Sequence, residues 1–162
     1  MRNVTVFASV LGAKPGAAML STPITRYGDM GYGLAHIRAA AAPAETDARS
    51  VLESVAVTTL DDLVRGGGFA RVDFIKADIE GYEAALIAGA GATLERFRPV
   101  LLLELDAKFL ERAGAALDRL WASLLDLGYI PHEVAKDGMT LDPISGGPCQ
   151  GDIVWRYAGS LH

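Results

Sequence analysis

The segment Val72-Asp-Phe-Ile-Lys-Ala-Asp-Ile-Glu-Gly81, a helix-like stretch, and then Pro99-Val-Leu-Leu-Leu-Glu-Leu105 restrict the fold more than any other part of this chain. They read as a buried strand ending in two carboxylates and a glycine, a crossover, and a second buried strand ending in another carboxylate. In an open parallel sheet, ligands bind outside the carboxyl ends of the strands. Asp78, Glu80 and Glu104 therefore fall where a ligand would sit.

The remaining pattern extends this α/β reading. Val72 to Ala77 is expected as a strand, Tyr82 to Ile87 as a helix ended by Gly89, and Ala92 to Phe97 as a further turn or two. Val100 to Leu105 is so continuously apolar that both its faces should be covered. Apolar side chains at 110, 113, 117, 120, 121, 124 and 127 follow helical spacing, with Gly128 at the C′ position. Tyr129–Val134 and Ile153–Tyr157 have no helix between them, which predicts an antiparallel hairpin. Upstream, Val4–Val10 is β-branched and apolar and is expected as a strand, with shorter strands at 17–20 and 55–57. Thr59-Leu-Asp-Asp62 has the form of a capping box opening a short helix, which Gly66-Gly-Gly68 stops. Residues 21–50 read as a loop-rich insertion with at most one short helix in a single domain spanning 1–162.

Composition sets the outer bounds. In 162 residues, 51 % are hydrophobic and 22 % charged, as in ordinary globular proteins, and the net charge of −5 comes from interspersed acids and bases. No basic face argues for nucleic acid or an anionic membrane surface. No apolar run approaches the roughly 18 residues of a membrane span, and the first residues lack a signal pattern. Cys149 stands alone, which excludes an internal disulfide and fits a reducing, cytoplasmic setting.

Several residues could carry chemistry. On an extended 72–80 strand, Lys76, Asp78 and Glu80 share a face. A charged trio ending an apolar strand needs compensation from one another, from a ligand or from water. Either a carboxylate accepts a proton from a polar substrate, or Asp78 or Glu80 caps the helix near Tyr82 with Lys76 as its ion-pair partner. Gly81 permits the tight strand-to-helix turn under both readings. Glu104 and Asp106 end the neighbouring strand, where acids bind ribose or hydroxyl groups or cap loops. His132-Glu133 has no further His or Cys at a metal-ligand interval, so no metal is expected and His132 reads as a surface strand residue. Trp121 and Trp155 read as core aromatics. None of the glycine clusters at 28–33, 66–68 and 89–94 has the order and flanks of a phosphate cradle.

On these residues the chain resembles the FkbM family of S-adenosylmethionine-dependent methyltransferases. The matching elements are Val57-Thr-Thr-Leu-Asp-Asp-Leu63, Val72-Asp-Phe-Ile-Lys-Ala-Asp-Ile-Glu-Gly-Tyr-Glu83, Gly89-Ala90, and Arg98-Pro-Val-Leu-Leu-Leu-Glu-Leu105, in the family's order. Asn3-Val-Thr-Val-Phe with Leu11-Gly12 resembles the family's third strand and the turn after it. The resemblance implies a class I methyltransferase (Rossmann-like) sheet, mostly parallel with an antiparallel C-terminal hairpin. It implies methyl transfer from S-adenosylmethionine to a hydroxyl of a sugar, glycan or polyketide-like acceptor. Asp78, Glu80 and Lys76 take the catalytic positions, Asp78 and Gly81 lie beside the cofactor, and Glu104 and Asp106 line the substrate side. The family's opening strands and its glycine-rich cofactor turn have no counterpart here, so the chain reads as the C-terminal two-thirds of such a domain. That leaves strand 4–10 to pair with 72–77 or lie loose, and leaves 72–77 with an exposed edge. Three functional readings follow: a methyltransferase; a non-catalytic remnant or half domain completed by a partner chain or by self-association through that edge; or a small-molecule binder that uses the acidic edge without catalysis.

Overall fold

In the computed structural model, residues 3–24, 27–31, 35–38 and 49–160 are described, and they form nine strands and five α-helices. The apolar run Val100–Leu105 forms β6, and the elements around it build one sheet. That sheet contains β5 (Phe74–Ala77), β6, β7 (Tyr129–Val134), β8 (Leu141–Pro143) and β9 (Gly151–Tyr157), in the order β5-β6-β9-β7-β8. β5 and β6 run parallel, in the register Phe74↔Val100 to Ala77↔Leu103, because a helical crossover joins them. β9 is antiparallel to both β6 and β7, and β8 is antiparallel to β7. The hairpin expected at the C-terminus forms, with β8 added to its outer side.

A second sheet is built from β1 (Val10–Leu11), β2 (Gly16–Pro23), β3 (His36–Arg38) and β4 (Ser50–Thr58), in the order β1-β4-β2-β3. Its backbone is the long antiparallel pairing of β2 with β4 from Gly16↔Val57 to Pro23↔Ser50. The expectation of a mostly parallel sheet is therefore corrected: each sheet holds a single parallel pair, β1 with β4 and β5 with β6. The strand expected at Val4–Val10 shrinks to Val10–Leu11, which pairs with Val57–Thr58 and not with β5. Among the described residues no edge pairs with residues 4–8, so Val6 stays 85 % exposed and the β-branched sequence joins no ladder there. The loop-rich reading of 21–50 is also revised, since 21–23 continue β2 and 36–38 form β3. The alanine-rich stretch 39–48 lies outside the described residues.

The helices explain the core. They are α1 (Leu60–Gly66), α2 (Glu83–Ala88), α3 (Gly91–Phe97), α4 (Ala107–Arg112) and α5 (Leu117–Asp126). Thr59 caps α1 as read from the sequence, its Oγ1 accepting from the Asp62 N–H at 2.9 Å. The single helix expected over 110–127 is two, broken at Gly114, whose φ of +82° ends α4. Buried side chains from all five helices meet Ala77, Leu101, Leu103, Leu105, Ile153, Trp155 and Tyr129, which lie on one face of the five-stranded sheet. Trp121 and Trp155 meet edge to face at 4.7 Å at its centre.

Among the described residues, the opposite face carries no helix of this core. β6 accordingly alternates, with Leu101, Leu103 and Leu105 buried, Val100 and Leu102 half-buried and Glu104 exposed. The expectation of cover on both faces fails for that reason. His132 is also corrected: it is 4 % exposed, with Nδ1 2.9 Å from the Ile130 carbonyl oxygen. Among the described residues, no helix is long and apolar enough to cross a membrane.

Candidate active site

The turn after β5 is tightly constrained backbone. The strand ends at Ala77, and Glu80 (φ +57°) and Gly81 (φ +98°) then reverse the chain into α2. Any side chain at Gly81 would collide with the Phe109 carbonyl of α4, so only glycine fits both the torsion and the space. A similar close approach fixes the Gly89-Ala90 element, because a Cβ at Gly89 would strike the Gly12 carbonyl. The aspartate of the Val57-to-Leu63 motif has a structural task as well. Asp61 accepts from the N–H groups of Ala92 and Thr93 at 3.0 and 2.8 Å and from Thr93 Oγ1 at 2.7 Å, tying α1 to the start of α3. Burial alone would raise the Asp61 pKa, but these hydrogen bonds outweigh it and hold the carboxylate below its ordinary value.

Asp78 lies one step past the last β5–β6 pair, Ala77↔Leu103, and so stands beside Glu104. Their carboxyls are within hydrogen-bonding reach, which lowers the pKa of Asp78; Lys76 Nζ, 3.1 Å from Asp78 Oδ2, lowers it further. The same pairing pushes Glu104 up to about 6, reinforced by the charges of Asp78, Asp152 and Glu80. Asp152 faces Glu104 from β9 in the ladder register. Below about 6 the two carboxyls therefore share one proton, carried by Glu104, with Asp78 the ionised member; above that Glu104 ionises too.

Lys76, Asp78 and Glu104 are thus brought together, while the other expected site residues are placed elsewhere. Glu80 does not share their face, because its positive φ turns it toward α4, where Arg112 Nη2 lies 3.6 Å from Oε2. Gly81 packs against α4. Asp106 Oδ1 accepts from the N–H groups of Lys108 and Phe109 at 2.8 and 3.1 Å, which makes it the N-cap of α4.

Beside Lys76 and Asp78 opens a cavity of about 390 Å³ between the two sheets. One wall is Ile75–Ile79 with Tyr82 and Leu86, and the other is Ser9–Leu11, Leu20 and Ala35–Ile37, with Leu60 completing the lining. The size falls in the range of small-molecule sites, and the lining is apolar with few polar groups. Sequence reasoning missed three contributors. His36 and Tyr82 line this cavity, and Glu83 lies beneath the turn with 1 % exposure, its Oε1 accepting from the Ile79 N–H at 2.9 Å. Glu83 stood inside a recognised motif, but no spacing rule distinguishes a buried anchor from a helix-surface acid. His36 lay in a stretch without periodic signal.

An α/β domain with a ligand-sized cavity and a paired carboxyl site at parallel strand ends is what these observations define. The chain belongs to the family described as the methyltransferase FkbM domain, whose model matches residues 17–131. No curated protein and no solved structure matches it.

Proposed function

We propose that this chain transfers a methyl group from S-adenosylmethionine to a hydroxyl oxygen of a sugar, glycan or polyketide-like acceptor, within a class I methyltransferase fold. The observation that carries the reading is a carboxylate held in its ionised form, Asp78, at the wall of a ligand-sized cavity and beside a second carboxyl, Glu104, whose pKa is raised to about 6. S-adenosylmethionine supplies an electrophilic methyl group on a cationic sulfur. The donor set suits it: acidic side chains complement the positive sulfur and ammonium, and the apolar walls with Tyr82 suit a flat ring. Asp78 would accept the hydroxyl proton as the acceptor oxygen bonds the methyl carbon and the methyl–sulfur bond breaks, releasing S-adenosylhomocysteine, which requires the hydroxyl to be aligned with the methyl carbon. Lys76 holds Asp78 in its charged form, and Glu104 lines the acceptor side. The single cysteine suits a cytoplasmic setting.

Calorimetric titration with S-adenosylmethionine and S-adenosylhomocysteine tests the reading. Micromolar binding, weakened in Asp78→Asn, is the expected result. Activity unchanged in both Asp78→Asn and Glu80→Gln would remove these carboxylates from the mechanism. A second reading, a non-catalytic or partner-completed half domain, is favoured by a separate observation. β5 is an edge strand, and Phe74 on the helix-free face is 54 % exposed. No heat and no thermal shift with either ligand would select that reading.

A further inference from the structure

We propose that Arg112 is a positioning residue for this site, clamping the Asp78–Gly81 turn through both the backbone and the carboxylate of Glu80 and so keeping Glu80 apart from the Asp78–Glu104 pair. The proposal deepens the methyl-transfer reading and rests on it for its functional meaning, while the clamp itself stands on geometry. Arg112 Nη2 donates to the Glu80 carbonyl at 3.0 Å and lies 3.6 Å from its Oε2. The guanidinium also sits over the Phe109 ring, 4.7 Å from its centroid, and the Phe109 carbonyl is the atom against which Gly81 is pressed. The last turn of α4 therefore meets the site turn at Glu80 twice and at Gly81 once. From the other side Glu83 holds the Ile79 N–H.

This grip has work to do. A non-glycine residue at φ +57° persists only where its surroundings over-determine it, and Glu80 is such a residue. One guanidinium nitrogen, Nη2, serves both the carbonyl and the carboxylate of Glu80, while the planar group lies over the Phe109 ring. The charge balance points the same way. Asp78, Glu80, Glu83, Glu104 and Asp152 crowd these strand ends, and Glu80 is among the charges that disfavour ionisation of Glu104. Lys76 compensates Asp78, and Arg112 compensates Glu80. The clamp also closes a ring in sequence, from Glu104 through the Asp106 cap and along α4 back to Glu80.

Carboxyl-carbon NMR titration of the full chain reads the clamp directly and needs no acceptor or cofactor. In Arg112→Met, the Glu80 charge is released beside Glu104, and the Glu104 midpoint should rise from about 6 towards about 7. Arg112→Lys keeps a cation and should stay close to the parent chain. In the double variant Arg112→Met/Glu80→Gln the rise should vanish. An unchanged Glu104 midpoint in Arg112→Met, or a rise that persists in the double variant, overturns the proposal. So does a lower melting temperature without any titration change, since that marks a purely structural contact. S-adenosylhomocysteine titrated into the parent chain separates the two levels. Loss of binding there strikes the methyl-transfer reading, while the midpoint shift alone decides the clamp.

Discussion

At the scale of single residues, the chemistry follows from how carboxyls share space. Glu104 is held protonated to about 6 by Asp78 first, and Asp78 is held ionised by Glu104 and then Lys76. The sign of the pH dependence follows. A raised carboxyl contributes its stability fully below its unfolded value and loses it as pH rises through about 6 for Glu104. A lowered one, Asp78, contributes above its unfolded value and loses that as pH falls through its folded value. Asp78→Asn should return the Glu104 midpoint towards the ordinary glutamate range, which a carboxyl NMR titration would show; a midpoint fixed at about 6 would mean that Asp78 is not its partner. Glu83 differs in kind. Burial raises its pKa, the N–H groups of Ile79, Glu83 and Gly81 offset part of this, and the Asp78 charge adds to the rise. Its Oε2 is buried without a hydrogen-bond partner among the described residues. Ionising it therefore costs stability, so Glu83→Gln should gain in melting temperature relative to the parent chain as pH rises from about 4 to about 8. A difference independent of pH would show that Glu83 is not the titrating group. Asp78, Glu104 and Lys76 were legible because strand alternation and parallel strand ends place them together. Glu80 was not, since a left-handed torsion at a glutamate has no sequence signature.

At the scale of elements, the spacing of the recognised segments encodes junctions between elements as much as chemistry. Gly81 sits against α4, Gly89 against the chain at Gly12, and Asp61 across to α3. Gly81→Ala must relieve both a φ of +98° and a backbone collision, so it should cost roughly 3 kcal/mol or more. Gly68→Ala is the control: it has φ +65° but open space around its Cβ, and should cost only about 1–2 kcal/mol. Equal losses in urea unfolding would refute the packing argument and leave torsion alone. Asp61→Ala removes three hydrogen bonds at the start of α3 and should cost about 1–2 kcal/mol. Caps and helix stops were readable in the sequence because they are local: Thr59, Gly67–Gly68 and Gly128 all act within a few residues of their helix. The split between α4 and α5 was not, because the apolar positions on either side of Gly114 keep a continuous helical phase.

At the scale of the molecule, the arrangement of helices decides what the five-stranded sheet can hold together. All five contribute to a core on one face, leaving Phe74, Val100 and Leu102 on the other with partial or no cover. The apolar run 100–105 correctly signalled a strand, but it could not report whether a second layer exists to cover it; that depends on elements distant in sequence. β5 adds an edge that no described strand pairs with, and its outer side opens into a trough of about 550 Å³ lined in part by Leu63, Phe69, Val72 and Phe74. An uncovered apolar face beside an unpaired strand edge favours association, since one contact there buries apolar surface and satisfies backbone donors and acceptors together. Light scattering should therefore show a mass that grows with protein concentration. Phe74→Lys should suppress that growth, as it removes an exposed ring and places a charge on the edge strand. Phe74 is more than half exposed, so its loss should change stability little, and a melting curve run in parallel separates weaker association from unfolding. If the parent chain scatters as a monomer at every concentration, the helix-free face is tolerated by this fold as it stands. Association that survives Phe74→Lys would instead place the contact on another surface, such as the exposed Val51 and Leu52 of β4.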